Sequence, residues 1–303
     1  MNEDGISITS VAEYLSVITK GPTHQLTNAD FESPGVSAVT FFRGQADCAW
    51  GLSPRLYRKG LFEDESTMLE AIRHYRPDAL SDDRFYDLTL LQHYGMPTRL
   101  LDLTTNPLVA LYFACAGQPQ SNGKVFVFSH LPTSWSTDPL VGLIMDFCFD
   151  YHTNDVDIQC ILDACRKKYE DSTDRAMPRT VNDLVHYLTI PAIAVRPRWS
   201  NERILSQRGA FFLCGMEVES VDVSDNIGTK GKQCYHFKHL VDINNGIIKD
   251  NCSTIIVPST SKDTILEQLS LLGIDEMSLF PDLPHAIDTV VRKIERYSIN
   301  RLR

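Results

Sequence analysis

QHYGMPTRLLDLTTNPLVALYFACA, residues 92–116, passes from the end of one helix through a strand into another helix. A helix beginning near Ser81 is expected to stop at Gly95, because glycine takes the left-handed conformation of a helix end without steric cost. Pro97 then pushes Met96 away from helical angles. Arg99–Leu103 reads as a short strand entering a core. Asn106 suits an N-cap and Pro107 the first helical turn. The helix that follows, LVALYFACA, is apolar on every face and is expected to be buried all round. His93, Arg99, Asp102 and Thr105 therefore stand among residues bound for the interior. Buried charge is costly without a partner, so Arg99 and Asp102 are expected to pair with each other or with a ligand.

On the N-terminal side, Ser10–Glu13 has a capping-box pattern, and Val11, Tyr14, Leu15 and Ile18 share one helical face. That predicts a helix to about Lys20. Residues 21–35 carry turn formers throughout. Val36–Phe42 is β-branched and aromatic, a strand that delivers Arg43, Gly44 and Gln45 at its end. Helices are expected at about 63–76 and 82–94.

On the C-terminal side, 124–129 reads as a strand, 130–152 as irregular chain and 155–170 as an amphipathic helix. Prolines make 189–199 an edge strand. Ala210–Val218 and Cys234–Leu240 read as a strand pair with a polar tip, and Ser253–Val257 as another strand. Helices follow at 262–272 and about 284–297, the last with Ile287, Val290, Val291 and Ile294 on one face. This irregular mixture indicates an α+β class: a mixed, mainly antiparallel β core with surrounding helices. No linker divides the chain, so residues 1–303 read as one domain. It has an N-terminal helix at about 8–20 and a helical extension at about 262–303.

Composition narrows the function. No apolar run approaches the ~20 residues that span a bilayer, and MNEDGISITS lacks the pattern of a signal peptide, so a cytoplasmic location is expected. The eight cysteines contain no Cys-x-x-Cys pair; they read as reduced, mostly buried thiols, with Cys160 and Cys165 a poor zinc site. A net charge of −10 opposes a broad grip on phosphate backbones but leaves room for a local basic groove. Arg55, Arg58 and Lys59 form one basic cluster, and Arg196, Arg198, Arg203 and Arg208 another, which reads as a solvated loop face ahead of such a groove. There is no dinucleotide fingerprint, P-loop, hydrolase elbow or zinc-protease motif.

Together with FFRGQ at 41–45, the 92–116 stretch resembles the FRG-domain family of bacterial proteins, named for the triplet seen here as Phe42-Arg43-Gly44. RILSQRGAFFL at 203–213 and SLFPDLPHAI at 278–287 extend the resemblance from about residue 10 to the C-terminus. On it, residues 1–303 form a single FRG domain. A strand reading FFRG also resembles the first strand of ADP-ribosyltransferases, whose arginine holds the pyrophosphate or ribose of NAD. That role carries over to Arg43 alone. The competing reading of Arg43 is structural, as partner to a carboxylate such as Asp102. Thr104-Thr105-Asn106 is a loose counterpart of the superfamily's hydroxyl-rich strand, or else simply caps the helix.

The late-strand glutamate of most ADP-ribosyltransferases has no counterpart in Ser206-Gln207-Arg208-Gly209-Ala210-Phe211. Either Gln207 binds substrate while Asp102 or Glu202 supplies the charge, or the pocket binds NAD without reacting it. His93 either serves a ribose hydroxyl or a proton transfer, with Tyr94 stacking on a ring, or is a satisfied histidine at a helix end.

The resemblance thus implies an ADP-ribosyltransferase-like fold with Arg43, His93, Asp102 and Gln207 as the catalytic set. Arg43, Gly44, Gln45, Tyr94, Arg99, Thr104, Thr105 and Asn106 are expected to hold NAD as substrate, with no metal. It implies a bacterial toxin or anti-phage effector that modifies a macromolecule, RNA ahead of protein, with a neutralising antitoxin protein as partner and no membrane. The alternative is a noncatalytic ligand- or partner-binding module.

Overall fold

The computed structural model describes residues 6–20, 39–129, 131, 133–151, 156–169, 177–198, 201–222, 233–240, 242–243, 247–282, 287, 289–292 and 294–295. In chain order the first elements are β1 (Ile6–Ser7), α1 (Val11–Lys20), β2 (Phe41–Gln45), α2 (Arg55–Arg58), α3 (Glu65–Tyr75) and α4 (Arg84–His93). Next come β3 (Leu100–Thr104), α5 (Pro107–Cys115), β4 (Gly123–Phe128), β5 (Thr133–Trp135), α6 (Pro139–Asp150), β6 (Val156–Asp157), α7 (Ile158–Lys168) and α8 (Val181–Leu188). The chain continues through β7 (Ala192–Arg196), α9 (Glu202–Ser206), β8 (Gly209–Cys214), β9 (Met216–Asp222), β10 (Gln233–His239) and α10 (Ile247–Asp250). β11 (Cys252–Val257), α11 (Lys262–Leu271) and α12 (Glu276–Leu279) follow.

The strands form an eight-stranded sheet ordered β1-β11-β4-β2-β3-β8-β7-β5 and a three-stranded sheet ordered β6-β10-β9. Only the outermost pairs of the large sheet, β1–β11 and β5–β7, are parallel. The fold is therefore α+β with a large, mostly antiparallel sheet.

Alternation along the central strands sorts the core into two layers. Phe42, Val125 and Val127 pack with Ala110, Leu111 and Ala114 of α5 and with α1 and α11. Phe41, Phe126 and Phe128 belong to the larger cluster on the other face, which takes in α3, α4, α6 and α7. α5 lies almost on the sheet itself. A Cβ on Gly44 would stand 1.8 Å from the Ala110 carbonyl oxygen, and one on Gly123 2.0 Å from that of Ala114. Glycine at these two positions is what lets helix backbone touch strand backbone.

The signals around the 92–116 stretch form as read. Gly95 has φ +94°. The Asn106 side chain accepts from the Leu108 amide, with Pro107 in the first turn. Elsewhere the structure corrects the reading. Arg43 lies inside β2 rather than at its end, and residues 36–38 fall outside the described chain. Residues 139–150 are a buried helix, not irregular chain, because Pro139 occupies the first turn, where its missing N–H costs nothing. β7 is no edge strand: it lies between β8 and β5, its prolines at 191 and 197 falling just outside it. Ala210 and Val218 belong to different sheets, since the strand breaks at Gly215 and only β9 pairs with β10. The polar tip at 224–232 lies outside the described residues. α8, with its Thr180–Asp183 capping box, was not anticipated. The helical residues among 287–295 leave Ile287, Val290, Val291 and Ile294 exposed.

Among the described residues no helix is long and apolar enough to cross a membrane. Cys48, Cys115, Cys148, Cys160, Cys165, Cys214 and Cys252 take part in no disulfide among the described residues, and burial pushes the Cys115 and Cys214 thiols up to about 12.

Candidate functional site

The site lies where two central strands part. β2 pairs with β4 at every position from Phe41 to Gln45, and β3 pairs with β8 at every position from Leu100 to Thr104. β2 and β3 meet only at Phe42 opposite Thr104. Beyond that pair a side chain takes the place of the ladder: Arg43 Nη1 donates to the main-chain carbonyl of Asp102 at 2.6 Å. Arg43 Nε is buried and without a partner among the described residues. Burial lowers the guanidinium's pKa, Asp102 opposes that shift, and the like charge of Arg58 adds to it.

A cleft of about 230 Å³ opens at this split, between β3, β8, α4 and α9. Arg43, Arg55, Arg58 and Arg203 line it, and Asp102 is the single carboxylate among the described lining residues. None of the four arginines has a carboxylate within ion-pair distance among the described residues. Arg55 donates to the Gly95 carbonyl at 3.1 Å, and Arg203 lies over the Phe280 ring, 4.7 Å from its centre. A chain of net charge −10 thus carries a locally positive cleft, the arrangement that concentrates an anion.

Asp102 is exposed, and its Oδ1 accepts from Gln92 Nε2 at 2.8 Å. Gln92 Oε1 in turn accepts from the Thr98 hydroxyl. The carboxylate is thereby aimed from two residues of the same stretch. His93 ends α4 and lines the cleft, its buried Nδ1 without a partner. Burial, then the repulsion of Arg203, lowers its pKa, with Asp282 opposing; the ring is neutral at pH 7. Gln207 lines the same cleft, its Nε2 donating to the Leu279 carbonyl at 3.0 Å.

The structure thus gathers Arg43, His93, Asp102 and Gln207 around one cleft. It separates most of the other expected residues from it. Arg99 does not pair with Asp102: it is fully buried against Glu65, with Nε 3.0 and 2.9 Å from the two carboxylate oxygens, and over the Phe62 ring. The reason is direction, since Arg99 precedes β3 and turns into the core toward α3. Tyr94 is 79% exposed, touches the His93 ring and is not among the cleft residues. Thr104, Thr105 and Asn106 serve the backbone. Thr104 Oγ1 donates to the Gln207 carbonyl at 2.6 Å and accepts from the Asn106 amide, Thr105 Oγ1 reaches the Arg208 carbonyl, and Asn106 caps α5.

Gly44 is the contact point with α5. Gln45 faces a second cavity on the other side of Arg43. Glu202 is exposed and outside the cleft lining, which leaves Asp102 as its carboxylate.

Of the two basic clusters, Arg55, Arg58 and Arg203 border the cleft. Arg196 instead stacks over Trp135, Arg198 sits 3.9 Å from Asp83, and Arg208 is exposed with φ +47°. Gln92 was not singled out from the sequence. Its signal was present, as the polar residue that closes an apolar helix one position before His93.

Residues 38–123 match the FRG domain, so the chain carries an FRG domain that spans β2, the parting of β2 and β3, and α5. No curated protein and no solved structure matches the chain. Arg203 and Gln207, which close the cleft from α9, lie outside the matched segment.

Proposed function

We propose that the cleft binds NAD and that the chain is an ADP-ribosyltransferase-like enzyme. The observation that carries the reading is Arg43: a guanidinium buried at Nε, with no carboxylate in ion-pair distance among the described residues, drawn by the Asp102 charge and pressed by the like charge of Arg58. Leaving such a group unsatisfied is costly, and an anion that bridges the two arginines relieves both penalties. A pyrophosphate suits this chemistry, with Arg203 and Arg55 bordering the same cleft.

When NAD is bound, nicotinamide leaves with the bonding pair, and an acceptor oxygen or nitrogen bonds to the ribosyl carbon as it gives up a proton. Asp102, held by Gln92, supplies the negative charge that favours a cationic ribose. Neutral His93, which lines the cleft, takes the acceptor's proton. Gln207 orients the substrate from the α9 side. The acceptor is a macromolecule, RNA ahead of protein, and the setting is that of a bacterial toxin or defence effector kept in check by a partner protein.

Calorimetric titration with NAD and chromatographic detection of nicotinamide test the reading. Binding with nicotinamide release in the presence of cell RNA is expected. Binding without release reduces the chain to a noncatalytic ligand-binding module, and no binding removes NAD altogether.

A further inference from the structure

On the far side of Arg43 lies a second and larger cavity, about 710 Å³. It shares Arg43 and Arg58 with the first cleft, so these two side chains form the wall between them. Gln45 is 5% exposed and lines this cavity. Its Nε2 donates to the Gly51 carbonyl at 3.3 Å, while Oε1 is buried without a partner among the described residues. An unsatisfied buried acceptor in a cavity wall marks a place for a ligand's hydrogen-bond donor. Trp50 lines the same space with 46% of its surface in solvent, a flat ring available for stacking.

The wall is built rather than incidental. Lys262, 1% exposed, donates from Nζ to the carbonyls of Ala46, Gly117 and Gln118 at 2.7, 3.3 and 3.0 Å. Ala46, Gly117 and Gln118 all line the cavity. The turn that presents Trp50 is fixed by Asp47, whose Oδ1 accepts from the Ala49 amide and whose carbonyl accepts from the Trp50 amide.

We propose that this cavity is a base-binding subsite for single-stranded RNA. A nucleobase stacks on Trp50, its exocyclic amino group donates to Gln45 Oε1, and Arg58 faces the adjoining phosphate. In calling it the acceptor side, the inference rests on the transferase reading; as a binding site it stands without it. Cytosine and uracil separate the chemistry, because they stack alike and differ in offering an amino group or a carbonyl at the same ring position. Stacking with a charged neighbour is the usual way a single strand is held.

The test is fluorescence anisotropy of end-labelled oligocytidylate and oligouridylate RNAs of about 12 nucleotides, titrated with the full chain without NAD. The cytidylate is expected to bind at least about fivefold more tightly, the effect of satisfying one buried acceptor. Trp50→Ala, at a half-exposed position that tolerates truncation, is expected to weaken binding roughly 5- to 150-fold. Gln45→Met is expected to erase the preference for cytidylate. Equal binding of the two RNAs, or unchanged binding by Trp50→Ala, overturns the proposal. So does the absence of any RNA binding. RNA binding through Trp50 by a chain that does not bind NAD removes the transferase reading and keeps the subsite.

Discussion

Arg43 bonds the main-chain carbonyl of Asp102 at 2.6 Å and leaves that residue's carboxylate to Gln92. The two residues are thus linked mechanically across the parting of β2 and β3 while their charges stay available to a ligand. A structural arginine would have neutralised the carboxylate; this one substitutes for a backbone donor.

Arg43→Ala therefore strands no buried carboxylate, since Asp102 is exposed and keeps Gln92. The expected stability loss is that of one hydrogen bond, about 1 kcal/mol. NAD affinity is expected to fall by ~2–3 kcal/mol, roughly 30- to 150-fold, for loss of a charge-assisted contact. Urea denaturation beside calorimetry separates the two effects. A folded variant with unchanged NAD affinity removes Arg43 from the site, and with it most of the case for an ADP-ribosyltransferase.

Arg99 and Glu65 should behave in the opposite manner. Both are almost wholly buried, with side-chain exposures of 1% and 3%. Glu65→Ala leaves a buried guanidinium alone and is expected to cost ~3–5 kcal/mol, whereas the double replacement Glu65→Leu, Arg99→Met should restore much of that loss. Denaturant midpoints of the two variants decide it. A double variant as unstable as the single one would mean that Arg99 is held by more than its ion pair.

Much of this was legible in the sequence, and the limits were physical. Gly95, Asn106 and Pro107 act through local backbone geometry, so their roles could be read from neighbours in the chain. Arg99 and Asp102 stand three residues apart, yet one turns inward to α3 and the other into the cleft. That difference depends on Glu65, 34 positions earlier than Arg99, which no local pattern reveals. Arg43 carried a readable charge, but its unpaired state became visible only when β2 and β3 were seen to part after a single bridge. The resemblance puts Gln45 among the NAD residues, whereas strand geometry and the wall formed by Arg43 and Arg58 place it in the other cavity.

His93 gives a pH signature. Burial and Arg203 hold its pKa below the ordinary histidine value of 6.5. The folded state thus binds the proton less readily than the unfolded chain. Its contribution to stability is complete above pH ~6.5 and is lost as pH falls from there through the lowered folded value. As a proton acceptor it must be neutral, so the acid limb of kcat/KM should have a midpoint below pH 6.5. His93→Gln should abolish that limb while nicotinamide release continues at a reduced, pH-independent rate. A limb that persists in His93→Gln belongs to another group.

Gly44 separates two meanings of the glycine that follows Arg43. If it existed to let a phosphate approach the backbone, alanine there would lower NAD affinity in a folded protein. The structure instead puts the Ala110 carbonyl 1.8 Å and the Ala114 amide nitrogen 2.7 Å from the position of an added Cβ. Both are helix backbone, so the atoms cannot step aside as a flexible side chain would. α5 must lift from β2, and it carries Ala110, Leu111 and Ala114 of the inner core layer with it. Overpacking of this kind costs ~1–3 kcal/mol where a site can relax and more where it cannot, so Gly44→Ala is expected to lose more than about 3 kcal/mol or fail to fold. Gly60 supplies the control: its φ is +65° with nothing within 4 Å of an added Cβ, and Gly60→Ala should cost only the left-handed strain of ~1–2 kcal/mol. Soluble yield and urea midpoints of the two variants give the comparison. A well-folded Gly44→Ala protein with weakened NAD binding would overturn the packing role and return this glycine to the ligand.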